Sequence, residues 1–188
     1  MLLLEHPAVV TQGRSARPEN LLVSPEELAG RGIELFEAAR GGDVTYHAPG
    51  QLVGYPIVDL AARDERDVHL FLRGLEDVLL EVLAAFDLLG RRIEGKTGVF
   101  MEREAAGERD RKIASIGIGV RRWVTWHGFA LNVSVDLTGF DVIVPCGLEG
   151  VEMTSLEREL ERTGRGVPPD LDDQVRGAVV RALEARWS

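Results

Sequence analysis

The longest regular pattern of apolar positions in the chain lies between residues 67 and 88. Its apolar side chains recur at the spacing of one helix face, which predicts an amphipathic helix packed against a core. The positions of this apolar stripe are Val68, Phe71, Leu72, Leu75, Val78, Leu79, Val82, Leu83 and Phe86. Gly90 follows the stripe, and we expect it to end the helix because glycine readily adopts the backbone conformation found after a last helical turn.

Three further helices are predicted, one near the start of the chain and two near its end. PEELAG predicts a short helix, with the preceding Ser24 suited to cap it and Pro25 suited to its first position. TSLERELER and DLDDQVRGAVVRALEARW both have amphipathic patterns, and GRGVPP links them. The acids of DLDD favour a helix start, where the helix dipole attracts negative charge.

Short segments rich in apolar and β-branched residues predict strands. They are LLLEH, AVVTQG, IELFEAA, LVGYPIVDL, TGVFMER, KIASIGIGV, RRWVTWHG and FALNVSVDL. The segment RGGDVTYHAPGQ, which lies between two of them, is rich in glycine and polar residues and predicts a loop. The order of elements favours an α/β fold with a mixed, largely antiparallel sheet flanked by helices, and we expect one domain over residues 1–188.

Composition and charge narrow the function classes. The chain has 188 residues, 45% of them hydrophobic, and a net charge of −9, which argues against nonspecific binding to nucleic acid or to anionic membranes. No apolar stretch approaches the length of a membrane span. The opening MLLLEHPAVV has no cationic region before its leucines, which is not the pattern of a secretion signal. A single cysteine excludes an intrachain disulfide, and we expect the reducing cytoplasm.

Residues 90–97, GRRIEGKT, satisfy the pattern of a phosphate-binding loop, G-x-x-x-x-G-K-[ST]. Such a loop needs a buried strand before it and a helix after it, so that backbone N–H groups surround the phosphates. Here a predicted helix precedes the pattern and the extended segment TGVFM follows it. We therefore reject an ATP-binding loop and interpret Lys96 as a solvated turn residue.

The glycine-rich segment RGGDVTYHAPGQ has the composition of a ligand-binding loop. Gly41 and Gly42 lack a Cβ, so neighbouring N–H groups can close around a carbonyl or an anion. Arg40 offers a fixed positive charge, and His47 offers one that titrates near neutral pH. An ordinary hairpin loop, in which the glycines satisfy turn geometry, explains the segment equally well.

The other histidines carry weaker signals. His6 precedes a proline and is interpreted as structural, while His69 lies outside the apolar stripe of the long helix and is predicted to be solvated. For His127, in TWHGFALN, two interpretations stay open, a pocket residue and a histidine at a sheet end, and the second is favoured. No spacing of His, Cys or carboxylates suggests a metal site.

Cys146, in DVIVPCGLEG, is the one cysteine of the chain. A lone cysteine is more often inert packing than a nucleophile. Lys112 is one of only two lysines and opens KIASIGIGV, which is otherwise made of small and apolar residues. If Lys112 and Cys146 meet in space, the ammonium group would stabilise the thiolate, which would then be available as a nucleophile. The sequence leaves that contact open.

Several of these segments, in the same order, resemble the octanoyltransferase family of lipoate biosynthesis. They are EHPAVVTQGR, RGGDVTYHAPGQLVGYPIVDL, KIASIGIGV, HGFALNVSVDL and VPCGLEGVEMTSL. The resemblance covers about residues 1–160. It implies the catalytic domain shared with lipoate and biotin protein ligases, and an acyltransferase that needs neither a cofactor nor a metal.

The resemblance also implies a mechanism and a set of site residues. The family moves an octanoyl group from acyl carrier protein, through a cysteine thioester, to a lysine of lipoyl domains. Its nucleophile matches Cys146, and its thiolate-stabilising lysine matches Lys112. Its substrate-pocket segments match Arg40, Gly41, Gly42, Asp43, Val44, Thr45, Tyr46, His47, Ser115, Ile116, Gly117, Gly128, Phe129 and Ala130.

The implied partners are octanoyl-acyl carrier protein as donor, and as acceptors the lipoyl domains of 2-oxoacid dehydrogenase E2 subunits and the glycine cleavage H protein. We expect a monomer. An acidic carrier needs a local basic patch, for which Arg91-Arg92 and Arg121-Arg122 are candidates, although solvated surface arginines explain both pairs.

Two departures from the family pattern carry expectations. Family members usually read H-G-P-G where this chain has His47-Ala48-Pro49-Gly50; if that position takes a positive φ, Ala48 is strained by about 1 kcal/mol. Members also carry a segment before the LLLEH strand, where this sequence begins at Met1. We therefore expect either an earlier natural start or a pocket without that covering element.

Other functions remain open from the residues alone. An ATP-dependent lipoate or biotin ligase would need no cysteine. A noncatalytic module that binds acyl groups or carrier protein would use Cys146 as packing. A cysteine hydrolase would need a histidine base, for which only His47 and His127 are placed.

Overall fold

The computed structural model describes residues 1–148 and 150–187. The strands, numbered in chain order, are β1 (Leu2–Leu4), β2 (Val9–Gln12), β3 (Glu34–Glu37), β4 (Val44–His47), β5 (Gln51–Tyr55), β6 (Gly90–Ile93), β7 (Lys96–Met101), β8 (Arg111–Arg121), β9 (Val124–Asn132) and β10 (Glu152–Met153). The helices are α1 (Pro25–Gly30), α2 (Val68–Ala84), α3 (Leu156–Arg162) and α4 (Leu171–Trp187). Short 3₁₀ segments span Pro18–Asn20, Leu137–Val142 and Pro145–Gly147.

Two sheets organise the strands. The larger has the order β1-β5-β9-β8-β7-β6, with every neighbour along this path antiparallel, and β10 pairs with β8 in parallel. The smaller has the order β3-β2-β4, in which β2 runs parallel to β3 and antiparallel to β4. The predicted fold class, a mixed and largely antiparallel sheet flanked by helices, is confirmed.

The main core lies between the larger sheet and helices α2 and α4. The predicted stripe of α2 supplies Phe71, Leu75, Leu79 and Leu83 to this core. Asp67 begins the helix by accepting hydrogen bonds from the N–H groups of the first turn. A second core lies under the smaller sheet.

The end of α2 differs from the prediction. The helix ends at Ala84, and Asp87 rather than a glycine adopts the left-handed conformation, with φ of 56°. Asparagine and aspartate tolerate this region better than most residues, so the chain reverses before Gly90. Gly90 instead begins β6, where a Cβ would lie 2.7 Å from the Leu83 side chain.

Two other segments are more regular than predicted. VTYH, predicted within a loop, forms β4 and pairs with β2. The two extended segments after Arg121 form one strand, β9, which pairs with β8 through a tight turn with positive φ at Arg122 and Trp123. Ala48 does not take a positive φ, whereas Gly50 does, with φ of 83°. The expected strain at Ala48 therefore does not arise.

The GRRIEGKT segment forms the β6–β7 hairpin rather than a strand, loop and helix. The rejection of a phosphate-binding loop is thus confirmed. Lys96 is not a solvated turn residue: it begins β7, and its Nζ pairs with the Asp110 carboxylate at 2.9 Å. The predicted helices α1, with Ser24 as cap, α3 and α4 are also confirmed. Among the described residues, no helix has both the length and the apolar character needed to cross a membrane.

Candidate active site

A cavity of about 720 Å³ opens between the two sheets. Its walls come from β2, β3 and β4 on one side and from β5, β8 and β9 on the other, with Val68 and Leu72 of α2 at its edge. The predicted site residues that line it are Arg40, Gly41, Gly42, Asp43, Thr45, His47, Lys112, Ser115, Ile116, Gly117, Gly128, Phe129, Ala130 and Cys146.

Val44 and Tyr46 are the two predicted pocket residues that do not line the cavity. They are 1% and 6% exposed and pack in the second core. Alternate residues of a strand point to opposite faces, so Thr45 and His47 face the cavity while their neighbours face the core. Once this segment is a strand, only half of it can contact a substrate.

Lys112 and Cys146 are in direct contact. The Lys112 Nζ donates a hydrogen bond to the Cys146 Sγ at 3.2 Å, and the Ser115 Oγ lies 3.7 Å from the same sulfur. Lys112 is 1% exposed, and its Nζ lies 5.5 Å from the centroid of the Phe100 ring. An ammonium group held next to a thiol in a desolvated site favours the thiolate, which is the nucleophilic form.

Strand pairing brings this lysine to the cysteine turn. Lys112 is flanked by Phe100 of β7 and Met153 of β10. The short strand β10 follows the cysteine in sequence, and the Thr154 N–H donates to the Lys112 carbonyl at 3.0 Å. The pairing of β10 with β8 therefore brings the segment that follows Cys146 beside Lys112, and the conformation of the cysteine turn sets the final contact.

The backbone at Cys146 is left-handed, with φ of 55° and ψ of 20°. A non-glycine residue in this region costs about 1 kcal/mol, so the surrounding structure must hold it there. The Val144 N–H donates to the Asn20 carbonyl at 2.8 Å, and the Gly147 N–H donates to the Val144 carbonyl at 3.0 Å. A Cβ at Gly147 would lie 2.7 Å from Asp43 Oδ2, so this position needs glycine for space as well as for its φ of 64°.

Asp43 and Asn20 join the glycine-rich loop to the cysteine turn. The Asn20 amide donates to Asp43 Oδ2 at 2.5 Å, while Asp43 Oδ1 accepts from the Arg17 and Val44 N–H groups. The same Asn20 holds the start of the cysteine turn through its carbonyl. Asn20 was not predicted as a site residue, because the segment PEN around it has no pattern that indicates such a role.

Arg40 organises the loop instead of presenting a free charge. Its guanidinium donates to the Thr11 carbonyl at 2.6 Å, to the Asp43 carbonyl at 2.8 Å and to the Gly41 carbonyl at 3.1 Å. Burial lowers the pKa of Arg40, and the negative charges of a Cys146 thiolate and of Asp43 oppose that shift. The fixed guanidinium of Arg40 therefore interacts with a Cys146 thiolate electrostatically and not through a direct hydrogen bond.

Three histidines and Tyr55 line the cavity on the side of β4 and β5. The His47 Nδ1–H donates to the Gln51 side-chain oxygen at 2.6 Å, which leaves Nε2 as the acceptor in the neutral ring. Burial is the main cause that lowers the pKa of His47 to about 4. Burial also lowers the pKa of His6 and of His127, so all three rings are shifted toward the neutral form.

The structure corrects two of the histidine interpretations. His6 is not purely structural, since it lines the cavity and shares a hydrogen bond of 2.8 Å with the Tyr55 hydroxyl. His127 lines the cavity from within β9 rather than at a sheet end, with φ of 57°. His69 is exposed on α2, as predicted.

Residues 1–182 match the family described as "Lipoyl protein ligase A/B catalytic domain". The chain is 49% identical to an octanoyltransferase of Myxococcus xanthus over 89% of its length, and 50% identical to one of Chloroflexus aurantiacus over 85%. A Flavobacterium johnsoniae octanoyltransferase is 44% identical over 97% of the chain. The matches span 46%, 70% and 75% of those three relatives, respectively.

Solved structures agree on the fold. A bi-partite lipoate protein ligase of Thermoplasma acidophilum has a TM-score of 0.67 at 20% identity, covering 98% of this chain and 69% of its own. A lipoate-protein ligase A bound with ATP has a TM-score of 0.65 at 20% identity, covering 98% of this chain and 70% of its own. The chain therefore belongs to the family of lipoyl protein ligase A/B catalytic domains, within which these curated relatives are octanoyltransferases, a class of acyltransferase.

Proposed function

We propose that the protein transfers an octanoyl group from octanoyl-acyl carrier protein to a lysine of lipoyl domains, through a thioester on Cys146. The observation that carries the proposal is the 3.2 Å contact between Lys112 Nζ and Cys146 Sγ at the wall of the cavity. A chain about half identical to octanoyltransferases, with this pair in contact, supports acyl transfer through the cysteine.

In the first half of the reaction, the Cys146 thiolate attacks the carbonyl carbon of the donor thioester. A new carbon–sulfur bond forms, and the bond to the carrier sulfur breaks. The Lys112 ammonium gives its proton to the departing carrier thiolate, which leaves as a thiol. One thioester is exchanged for another, so the step needs no ATP.

In the second half, the neutral amine of the acceptor lysine attacks the acyl carbon on Cys146. An amide bond forms as the bond to Cys146 breaks, and the sulfur leaves as a thiolate. Lys112, now neutral, accepts the proton that the amine loses, which restores the ammonium–thiolate pair. The Ser115 hydroxyl, 3.7 Å from the sulfur, is suited to donate to the oxyanion in both halves. The Gly147 N–H is less suited, because it donates to the Val144 carbonyl.

The cavity offers an apolar wall for the acyl chain. Val53, Ile116 and Phe129 of the larger sheet line it, together with Val68 and Leu72 of α2. Each methylene buried there is worth about 0.8 kcal/mol, so the depth of the cavity sets the preferred chain length. The remaining predicted pocket residues, from the Arg40–Asp43 loop and β9, hold the head of the substrate near the sulfur.

The partners follow from the same proposal. The donor is octanoyl-acyl carrier protein, the acceptors are lipoyl domains of 2-oxoacid dehydrogenase E2 subunits and the glycine cleavage H protein, and the enzyme acts as a monomer. A single cysteine that must stay reduced fits the cytoplasm.

Arg121 and Arg122 are the better docking candidates for an acidic carrier. Both are exposed, and neither forms an ion pair within the described part of the chain. Arg91 pairs with Asp110, and Arg92 pairs with Glu76, so their charges are already partnered.

Intact-mass measurement after mixing the protein with octanoyl-carrier protein tests the proposal. We expect one octanoyl adduct on the wild type, lost in Cys146→Ser, and its transfer to an added lipoyl domain. An ATP-dependent ligase would instead modify the lipoyl domain from free octanoic acid and ATP, and would tolerate Cys146→Ser. That second outcome would replace the proposal.

A further inference from the structure

Lys112 has a long side chain, and its terminal nitrogen must be held in place to stay against the sulfur. Within the part of the chain that the structure describes, no carboxylate lies within ion-pair distance of this nitrogen. Its terminal atoms contact Cys146 and lie over the Phe100 ring, and they pack so near Gly98 of β7 that a Cβ there would lie 2.8 Å from Lys112 Cε. We infer that Gly98, fixed by the buried carboxylate of Glu76, positions Lys112 against Cys146. The role of that contact in acyl transfer rests on the proposed function.

Gly98 provides the space that Lys112 occupies. A Cβ at this position would lie 2.8 Å from Lys112 Cε, 3.4 Å from its Nζ and 2.4 Å from the Ala114 carbonyl oxygen. Gly98 also has φ of 114°, a conformation that other residues rarely adopt. Any side chain here would push the end of Lys112 away from its place beside the sulfur, or shift β7 itself.

Glu76 holds Gly98 where strand pairing does not. The β7–β8 register shifts between Val99 and Phe100, so the hydrogen-bond ladder is irregular next to Gly98. The Gly98 N–H instead donates to Glu76 Oε1 at 3.1 Å. Glu76 is 1% exposed on α2.

The arginines beside Glu76 orient this carboxylate. Arg73 donates to Glu76 Oε2 at 2.6 Å and Arg92 at 2.9 Å, which leaves Oε1 for Gly98. A buried carboxylate with three donors is held in one orientation, since rotating it would break charge-assisted hydrogen bonds to both oxygens. Through Glu76, helix α2 therefore fixes the backbone at Gly98, next to the end of the Lys112 side chain.

The pH profile of Cys146 alkylation by iodoacetamide, followed by intact mass, tests the inference without any acyl donor. We expect Gly98→Ala to move the midpoint upward by about one pH unit relative to the wild type, which slows alkylation at pH 7 by up to about tenfold while the high-pH plateau is kept. Gly107→Ala is the matched control, because Gly107 has φ of 90° and an added Cβ there would meet no heavy atom within 4 Å. An unchanged midpoint in Gly98→Ala overturns the inference.

Variants of Glu76 test whether this carboxylate fixes Gly98. Glu76→Gln keeps one oxygen for the Gly98 N–H, but its amide nitrogen then faces the guanidinium donors of Arg73 and Arg92, so we expect a midpoint between that of the wild type and that of Glu76→Met. Glu76→Met keeps the length but removes the acceptor, and should raise the midpoint as Gly98→Ala does. Asp77→Asn weakens the neighbouring pair with Arg92 without touching Gly98, and should leave the midpoint unchanged. Equal midpoints in Glu76→Gln and Glu76→Met would overturn the role of Glu76.

A double variant separates positioning from general damage. In a Lys112→Ala background there is no ammonium group to displace, so adding Gly98→Ala should produce no further shift. Additive shifts would show that Gly98 acts independently of Lys112 and would overturn the inference. If Gly98→Ala does not fold, the Glu76→Gln and Glu76→Met pair decides. A wild type that alkylates normally but gains no octanoyl adduct would refute the proposed function and leave this inference standing.

Discussion

Lys112 and Cys146 reach the same point from two unlike regions of the molecule. Lys112 lies within β8, between β7 and β10, and is buried. Cys146 lies in a three-residue turn with a left-handed backbone, tied to the rest of the molecule by Asn20 and by close contact with Asp43. The charge is thus held by the sheet, whereas the sulfur is held by a few loop contacts.

Because of this difference, we expect substitutions near Lys112 and near Cys146 to affect the free energy of unfolding and the reaction to different extents. Changes of side-chain volume beside Lys112 disturb the main core as well as the site, because β8 packs in that core through residues such as Ile113 and Ala114. Changes beside Cys146 disturb a surface turn with few apolar contacts, so they should affect the reaction more than the free energy of unfolding. Variants that change only the rate of acyl-enzyme formation, or only the free energy of unfolding, test this difference between the two regions.

The largest effect is expected for Lys112→Met, which replaces the buried ammonium by an apolar chain of similar length. Acyl-enzyme formation at pH 7 should slow by about 10²–10⁴-fold, because the thiolate loses its neighbouring charge and the carrier thiolate its proton donor. The free energy of unfolding should stay the same or rise, since a buried charge without a carboxylate partner is removed. Quenched-flow acylation assays and urea unfolding measure the two. A stability loss above about 2 kcal/mol would contradict this account of the lysine.

The pH dependence of stability probes the cavity wall on the side of the smaller sheet. The pKa of His47 falls from 6.5 in the unfolded chain to about 4 in the folded protein, mainly through burial. The folded state therefore binds the proton less readily, and the stabilisation is complete above pH 6.5 and lost as pH falls toward 4. The loss should reach about 2–3 kcal/mol, after allowance for partial exposure to the cavity.

His47→Gln isolates this contribution from those of other groups. His6, Arg40 and His127 also act on His47, and His6 and His127 titrate in the same direction. The variant should show a shallower fall in urea midpoint between pH 6.5 and 4 than the wild type. Parallel curves for the two proteins would mean that His47 titrates alike in the folded and unfolded chains.

A smaller effect is expected for Asn20→Ala at the cysteine turn. The variant removes the side-chain amide that donates to Asp43 Oδ2, and with it the hydrogen bond that connects the glycine-rich loop to the segment holding the cysteine turn. Acyl-enzyme formation should slow about tenfold, with a loss in free energy of unfolding of no more than about 1 kcal/mol, because Asp43 lines the cavity and water there can bond the freed oxygen. Asp136→Asn is the control, since Asp136 caps the separate Leu137–Val142 segment. A control as slow as Asn20→Ala would show that the acylation rate responds to any loop change.

Elements that pack on one face could be predicted from the sequence. The stripe of α2 packs into the main core formed with the larger sheet and α4, so its apolar spacing marks the helix to within a few residues at each end. The end itself was mispredicted, because the turn is made by Asp87 and carries no glycine. Strand β4 was missed because flanking glycines and polar residues conceal the alternation in which Val44 and Tyr46 enter the second core.

Only part of the candidate site could be predicted from the sequence. Residue type singled out Cys146 and Lys112, but their contact depends on the register of β10 on β8 and on the turn at Cys146. Neither of these has a local pattern. Asn20 and Glu76 act by bonding distant backbone groups, so nothing in their own neighbourhoods indicates the role.

The smallest effect is expected at the β8–β9 turn, far from both halves of the reacting pair. Arg121→Glu combined with Arg122→Asp reverses two exposed charges, and aspartate tolerates the left-handed backbone at residue 122. Acyl-enzyme formation from octanoyl-carrier protein should slow about five- to tenfold at low salt, with the difference shrinking as sodium chloride screens the charges. An octanoyl thioester of a small thiol should react at the wild-type rate. Arg165→Glu combined with Arg181→Glu is the matched control, since both arginines are exposed elsewhere on the surface. Equal slowing with the small thioester would place the effect at the Lys112–Cys146 pair rather than at carrier docking.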